Sequence, residues 1–216
     1  MKRMTTFLLT LAGIMAVGCT PKGAATTTEQ QEQQEVSATT NAVVETILSR
    51  RSIRQYTAEP VAEEQLQEIL RCGINAPNGM YRQSWEVRVV RNAELLSEIE
   101  KGFEEQRART GSKSKTRAFY GAPCLIFIAY DTTYDLSQVD CGLLGGNIIT
   151  AAQSMGLGTC CLGQVTRFMT SDEAQPLYAR LQLPDTHRLL YAIALGHPAE
   201  FPAAKPRTAD KVRFID

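Results

Sequence analysis

The chain has 216 residues, with 23 Lys plus Arg against 23 Asp plus Glu and a formal net charge of +0. This balance excludes a general nucleic-acid binder, which carries a basic excess. The length allows one domain with a substantial core in addition to a leader.

Lys2 and Arg3 precede an apolar run from Phe7 to Val17 that ends in Ala16-Val17-Gly18-Cys19. A positive start, a short apolar stretch and small residues at a cleavage point describe an export signal. The run is too short for a comfortable membrane span, so residues 1–18 are expected to be a signal peptide. The cysteine after the small residues is similar to the lipobox of bacterial lipoproteins, although Ala16 stands where leucine is usual. That similarity implies lipidation of Cys19 and an exported, membrane-anchored protein on the periplasmic or outer-membrane face of a Gram-negative-type envelope. Ordinary secretion with an incidental Cys19 thiol is the plainer alternative. Residues 19–40 are rich in Thr, Gln, Glu and Ala and almost free of large apolar side chains. They cannot bury enough surface to offset chain entropy and are expected to be a disordered tether. Residues 41–216 are the folded domain.

Within that domain Asn41 can cap a helix carrying Val44, Ile47 and Leu48 and ending near Arg50. A second helix fits Ala62 to Gly73, with Leu66, Ile69 and Leu70 on one face, and Ala76-Pro77-Asn78-Gly79 is a turn. Trp85 to Val90 reads as a strand and Ala93 to about Arg107 as a helix. Lys101 to Tyr120 is polar and basic, with Gly and Ser at its centre, as in a surface excursion. Leu125 to Tyr130 is a short apolar run, best read as a buried strand. Leu136 to Met155 is a long helix, apolar on most sides, which a fold or a subunit interface must cover. Gly156 ends it. A strand over Thr159 to Leu162, a helix near Ser171 to Leu181 and a strand over Arg188 to Leu195 complete an α+β or α/β pattern.

Cys19 aside, the cysteines are Cys72, Cys124, Cys141, Cys160 and Cys161, without CxxC or zinc spacing. They read as small core residues. Adjacent Cys160 and Cys161 cannot pair without strain, and an oxidising compartment leaves a disulfide elsewhere in the set open. There is no GxSxG elbow, and the two histidines, His187 and His197, form no catalytic constellation. Gly156-Leu157-Gly158 follows a helix instead of opening one, and Cys161 occupies the third glycine position, so a dinucleotide fingerprint is a poor match.

Two basic clusters lie at opposite ends of the domain: Arg50-Arg51-Ser52-Ile53-Arg54 and Lys205-Pro206-Arg207. A phosphate monoester calls for guanidinium forks, a hydroxyl donor and a lysine charge. Arg50, Ser52, Arg54, Lys205 and Arg207 supply these if the chain brings its ends together. Taken alone, Arg50 and Arg51 could simply complement the C-terminal end of the preceding helix.

From about Val43 to Arg207 the chain resembles the FMN-dependent nitroreductase family. The pieces are Arg50 to Tyr56, Ala76-Pro77-Asn78 with Arg82-Gln83-Ser84-Trp85, Gly121-Ala122-Pro123, Gly156 to Gly163, and Leu195-Gly196-His197-Pro198 with Lys205-Pro206-Arg207. The resemblance implies a three-layer α-β-α sandwich around a mixed, mainly antiparallel sheet, and a homodimer with FMN at the subunit interface. It implies phosphate contacts from Arg50, Ser52, Arg54, Lys205 and Arg207, with Arg51 also among the cofactor-binding residues. Pro77, Asn78 and Gly79 would line the flavin from the other subunit, and Gln83 is a polar contact to the ring. Backbone groups of Cys161, Leu162 and Gly163 would approach its reactive edge, where fixed N–H dipoles favour the reduced, negatively charged form. The chain departs from the family at Tyr81, where asparagine is usual, and at Ser84, where proline precedes the tryptophan. Tyr81 is expected to stack near the flavin or narrow the cleft; otherwise it is a surface turn aromatic.

The resemblance implies hydride transfer through FMN from NAD(P)H to electron-poor acceptors such as nitroaromatics or quinones, with no side-chain acid or base required. Export sits awkwardly with a cytoplasmic donor. The alternative is a membrane-tethered binding protein that holds a flavin or other phosphate-bearing ligand without redox turnover.

Overall fold

Alternation along one strand divides the core into two halves. In β2 (Cys124–Asp131), Leu125, Phe127 and Ala129 enter one apolar cluster, and Cys124, Ile126 and Ile128 enter the other, as a period of two requires. All six are fully buried. The strand therefore reads as a continuous apolar run, because both of its faces are covered.

The computed structural model describes residues 41–215. The expected signal peptide, tether and lipidation site Cys19 lie outside the described residues. The helices are α1 (Ala42–Ser49), α2 (Glu63–Ile74), α3 (Ala93–Arg109), α4 (Ser137–Ser154), α5 (Gln164–Met169) and α6 (Gln175–Ala179). The remaining strands are β1 (Trp85–Val90), β3 (Gly158–Leu162) and β4 (His187–Gly196). One face of the sheet packs against Leu95, Leu96 and Ile99 of α3 and Val165, Phe168 and Met169 of α5. The other packs against Leu66 and Ile69 of α2 and Cys141, Leu144, Ile148 and Ala152 of α4. The result is the three-layer α+β sandwich that the resemblance implied.

The strand order is β1-β2-β4-β3, and every strand pair is antiparallel. The mixed character comes from one parallel bridge, Ser52 to Thr159, at the β3 edge. All five described cysteines are free thiols.

The elements follow the expected order with three differences. Helix α3 runs on to Arg109, so the basic excursion starts at Thr110; Asn92 caps the helix through Leu95 N–H at 2.8 Å. The expected helix over 171–181 is a 3₁₀ turn at Asp172–Ala174 followed by the short α6. Pro176 lies in the first turn of α6, where its missing N–H costs nothing. Helix α5 was not foreseen, because six residues are too few to show a period.

Helix α4 buries one side only; Val139 and Leu143 face outward. It ends as expected at Gly156, whose φ of +75° lets Leu157 N–H bond back to Ala152 O at 2.9 Å. Helix α1 buries none of its residues, and Ile47 and Leu48 are well exposed.

Candidate functional site

The chain ends meet because the segment after β4 doubles back along residues 52–57. Thr57 N–H donates to His197 O at 3.0 Å, Ala199 N–H to Gln55 O at 2.9 Å, and Arg54 N–H to the Glu200 carboxylate. Tyr56 and Pro198 form an antiparallel bridge. On the inner side Ile53 N–H donates to Thr159 O at 2.9 Å, which stitches the same segment to β3. The consequence is a cavity of about 120 Å³ lined by Arg50, Arg51, Ser52, Arg54, Pro202, Ala203, Lys205 and Arg207. All five residues assigned to a phosphate are there, together with Arg51.

They are not equivalent. Arg51 Nη1 donates to Leu48 O at 2.7 Å and to Arg50 O at 2.8 Å, so it serves the C-terminal end of α1. Arg54 lies over the Tyr120 ring, 5.9 Å from its centroid. Hydrogen bonding to Tyr120 is the main cause raising Arg54 above the usual guanidinium value. Half-buried Tyr56 donates to Ile53 O at 2.7 Å, and desolvation first of all pushes its phenol well above the ordinary value. It remains a neutral donor beneath the cations.

Strand β3 lies at the sheet edge beside this cavity. Thr159 O accepts from Ile53 on the outer side, so the peptide groups of Cys161, two residues on, also point outward. Their direction leaves that N–H available to a ligand. The Cys161 side chain is exposed, and nothing lies within 4 Å of where a Cβ at Gly163 would sit. Leu162 is buried in the core, so only its backbone is open to a role here. Next to it Gln164 Nε2 donates to Arg117 O at 2.9 Å and Ala118 O at 3.1 Å, holding the root of the 110–120 excursion beside Gly163.

The other predicted residues form a tight turn before β1. Met80, Tyr81 and Gln83 all have left-handed backbones, with φ of 51°, 56° and 48°. Three such non-glycine residues cost about 1–3 kcal/mol each and persist only where surrounding structure over-determines them. Here it does. Asp140 of α4, buried at 2% exposure, accepts from Gly79 N–H at 2.9 Å and from Ser84 Oγ at 2.8 Å. Asn78 Oδ1 accepts from Gln83 N–H at 3.0 Å, and Ser137 Oγ donates to Ser84 O. The Arg82 guanidinium lies 4.6 Å from the Tyr134 ring centroid. Gly79 must be glycine, since a Cβ there would overlap the Tyr134 hydroxyl. Pro77, Met80, Tyr81 and Gln83 are left facing solvent, Tyr81 at 82% exposure.

One chain does not bring the two groups together. Trp85 is level with Arg188 through Tyr130, whereas Thr159 is level with Leu195, on the opposite edge strand. The Arg188–Leu195 run and three strand spacings separate them, on the order of 25 Å. The cationic cavity and the Pro77–Gln83 turn occupy diagonally opposite corners of the sheet.

Sequence reasoning missed Asp140, Tyr134 and Ser137 under the turn, and Tyr120 and Gln164 beside the cavity. Each acts through a contact between segments distant in sequence, which no local spacing announces. The departure at Ser84 was the one available signal.

The site thus defines a class: an α+β fold in which the two ends of the described domain bring a cluster of cations together in one cavity at an edge of the sheet. The chain belongs to the nitroreductase family, which its sequence matches over residues 47–197. It is 31% identical over 178 residues to an NADPH-flavin oxidoreductase of Vibrio harveyi, covering 77% of this chain and 70% of that protein. Identity to an FMN reductase [NAD(P)H] of Bacillus subtilis is also 31%, over 179 residues, with the same coverage. The fold superposes on a nitroreductase with bound FMN from Desulfitobacterium hafniense with a TM-score of 0.75 and 32% identity. That match covers 82% of this chain and 100% of the other.

Proposed function

We propose that the protein is an FMN-dependent oxidoreductase that works as a homodimer, with NAD(P)H as donor and an electron-poor acceptor such as a nitroaromatic or a quinone. The observation that carries this is the cavity of about 120 Å³ into which both chain ends deliver Arg50, Ser52, Arg54, Lys205 and Arg207. When bound, FMN supplies the two-electron carrier; the protein supplies capture, orientation and an electrostatic environment. Arg50, Arg54 and Arg207 offer forked donors to the phosphate, Ser52 a hydroxyl and Lys205 a point charge. The outward N–H of Cys161 and the open space at Gly163 suit the edge of the ring that gains negative charge.

Geometry supports the homodimer. The Pro77–Gln83 turn reaches a flavin held at the opposite corner only if a second copy brings it there. The outward apolar residues Ile47 and Leu48 of α1 and Val139 and Leu143 of α4 supply a surface for that copy. Export and anchoring through a lipidated Cys19 belong to the same proposal, and they imply that a donor other than cytoplasmic NAD(P)H deserves equal trial.

The test is the visible spectrum of residues 41–216 after incubation with FMN and desalting. Retained flavin that NAD(P)H reduces and an added quinone reoxidises supports the proposal. Retained flavin that no donor reduces favours the tethered binding protein. A colourless protein removes the FMN site altogether.

A further inference from the structure

Asp140 lies on α4, far in sequence from the turn it holds. Its two carboxylate oxygens accept from the Gly79 N–H at 2.9 Å and the Ser84 hydroxyl at 2.8 Å. These bonds bracket the three left-handed residues Met80, Tyr81 and Gln83. The bond through residue 84 depends on serine there, since the proline that the family resemblance makes usual at this position has no hydroxyl to give. A proline at 84 would also press residue 83 toward an extended backbone, whereas Gln83 has a φ of 48°. The turn in this chain therefore has its own shape, and Asp140 and Ser84 fix it. The side chains it presents outward are Met80 and Tyr81, at 75% and 82% exposure.

We propose that Asp140 is a positioning residue which, with Ser84, locks the 78–84 turn and so aims Tyr81 and Met80 at the acceptor cleft of the partner subunit, making the turn a specificity element for flat aromatic acceptors. This rests on the proposed flavin oxidoreductase dimer. A planar acceptor fits because an aromatic ring and a polarizable thioether both pack well against π faces. The lock spends no side-chain freedom of Tyr81 itself, so the ring is delivered by a rigid backbone.

Trp85, the only tryptophan, directly follows Ser84 and reports the turn without any flavin. The experiment compares Asp140→Ala, Asp140→Asn and Ser84→Ala with wild type. The readouts are Trp85 emission and acrylamide quenching in the flavin-free protein, and kcat and KM for a nitroaromatic and for a small non-aromatic oxidant in the FMN-loaded protein. Asp140→Ala is expected to expose Trp85 to quencher and to raise the nitroaromatic KM about tenfold, at the lower end of what losing its two hydrogen bonds can cost, with kcat within about twofold and little change for the small oxidant. Asp140→Asn restores both readouts, because its oxygen still accepts from Gly79 and the Ser84 hydroxyl can turn to accept from the amide. Ser84→Ala gives a smaller shift in the same direction, and it carries the test if Asp140→Ala does not fold. Wild-type quenching and wild-type KM in both Asp140→Ala and Ser84→Ala overturn the inference, as does Asp140→Asn behaving like Asp140→Ala. A wild-type protein that fails to hold FMN sinks the oxidoreductase reading but leaves the Trp85 comparison to decide the lock.

Discussion

Cations that line one cavity need not contribute equally to it. Arg54 and Arg207 line the cavity with one Nη1 bond each to a local carbonyl, Ser52 O and Lys205 O at 3.2 Å, whereas Arg51 Nη1 makes two shorter bonds, to Leu48 O and Arg50 O. Arg54→Ala and Arg207→Ala are each expected to weaken FMN binding about ten- to a hundredfold, the worth of a charge-assisted hydrogen bond. Arg51→Ala should change it less than about threefold. Titration of flavin fluorescence against each variant measures this, and equal losses in all three would show that Arg51 is a phosphate ligand after all. The Tyr134 hydroxyl offers a second case, since it is buried without a hydrogen-bond partner among the described residues and packs on Gly79. Tyr134→Phe is therefore expected to be neutral or stabilising in thermal unfolding, because it removes an unpaired buried polar group. Gly79→Ala should destabilise, and less so in the Tyr134→Phe background. The cationic residues were readable from sequence because their chemistry is in their type. Asp140 was not, because an aspartate inside a helix pattern looks the same whether it faces water or holds a distant turn.

Strand β2 and helix α4 were found easily because the strand is an unbroken apolar run and the helix is long and apolar on most sides, although only one of those sides is buried. Helix α5 and the broken 172–179 segment were missed because short elements owe their shape to packing, here Val165, Phe168 and Met169 against α3. The same burial has a cost at high pH. Desolvation pushes the Cys124 thiol of β2 and the Cys141 thiol of α4 up to about 12 from 9.0. Below pH 9 both the folded and unfolded chains keep these protons, and no stability is lost. Between pH 9 and about 12 the unfolded chain releases protons that the folded one retains. Folding then weakens by up to about 1.4 kcal/mol per pH unit for each thiol. The melting temperature should be flat to pH 9 and fall above it, with Cys124→Ala plus Cys141→Ala reducing the slope. Half-buried Tyr56 and Tyr191, also raised by desolvation first, steepen the fall further up the scale. An equal slope in the double variant would show that thiol ionisation plays no part.

The order of elements and the residues proposed for the cavity and for the turn could be named from the sequence; their separation could not. Nothing in the spacing of Arg50 and Gly79 says that they end at opposite corners of a four-stranded sheet. That distance depends on strand order, and strand order is settled by how the layers pack. Sedimentation of residues 41–216 should give a dimer, and Leu143→Glu on the outward side of α4 should shift it toward monomer with loss of FMN retention. A monomeric wild type that still holds flavin would show that one chain suffices.

Opposite corners have a genetic consequence. If each flavin is gripped by the phosphate cradle of one copy and the turn of another, two differently crippled chains can repair each other. A chain lacking Arg54 and Arg207 keeps a sound turn, and a chain with a collapsed 78–84 turn keeps a sound cradle. Co-expressed, they would form mixed pairs with one intact and one doubly damaged centre, recovering about a quarter of the wild-type centres under random pairing in a two-fold dimer. Two alleles that are each inactive would thus complement within a single gene, whereas any two lesions in the same corner would not.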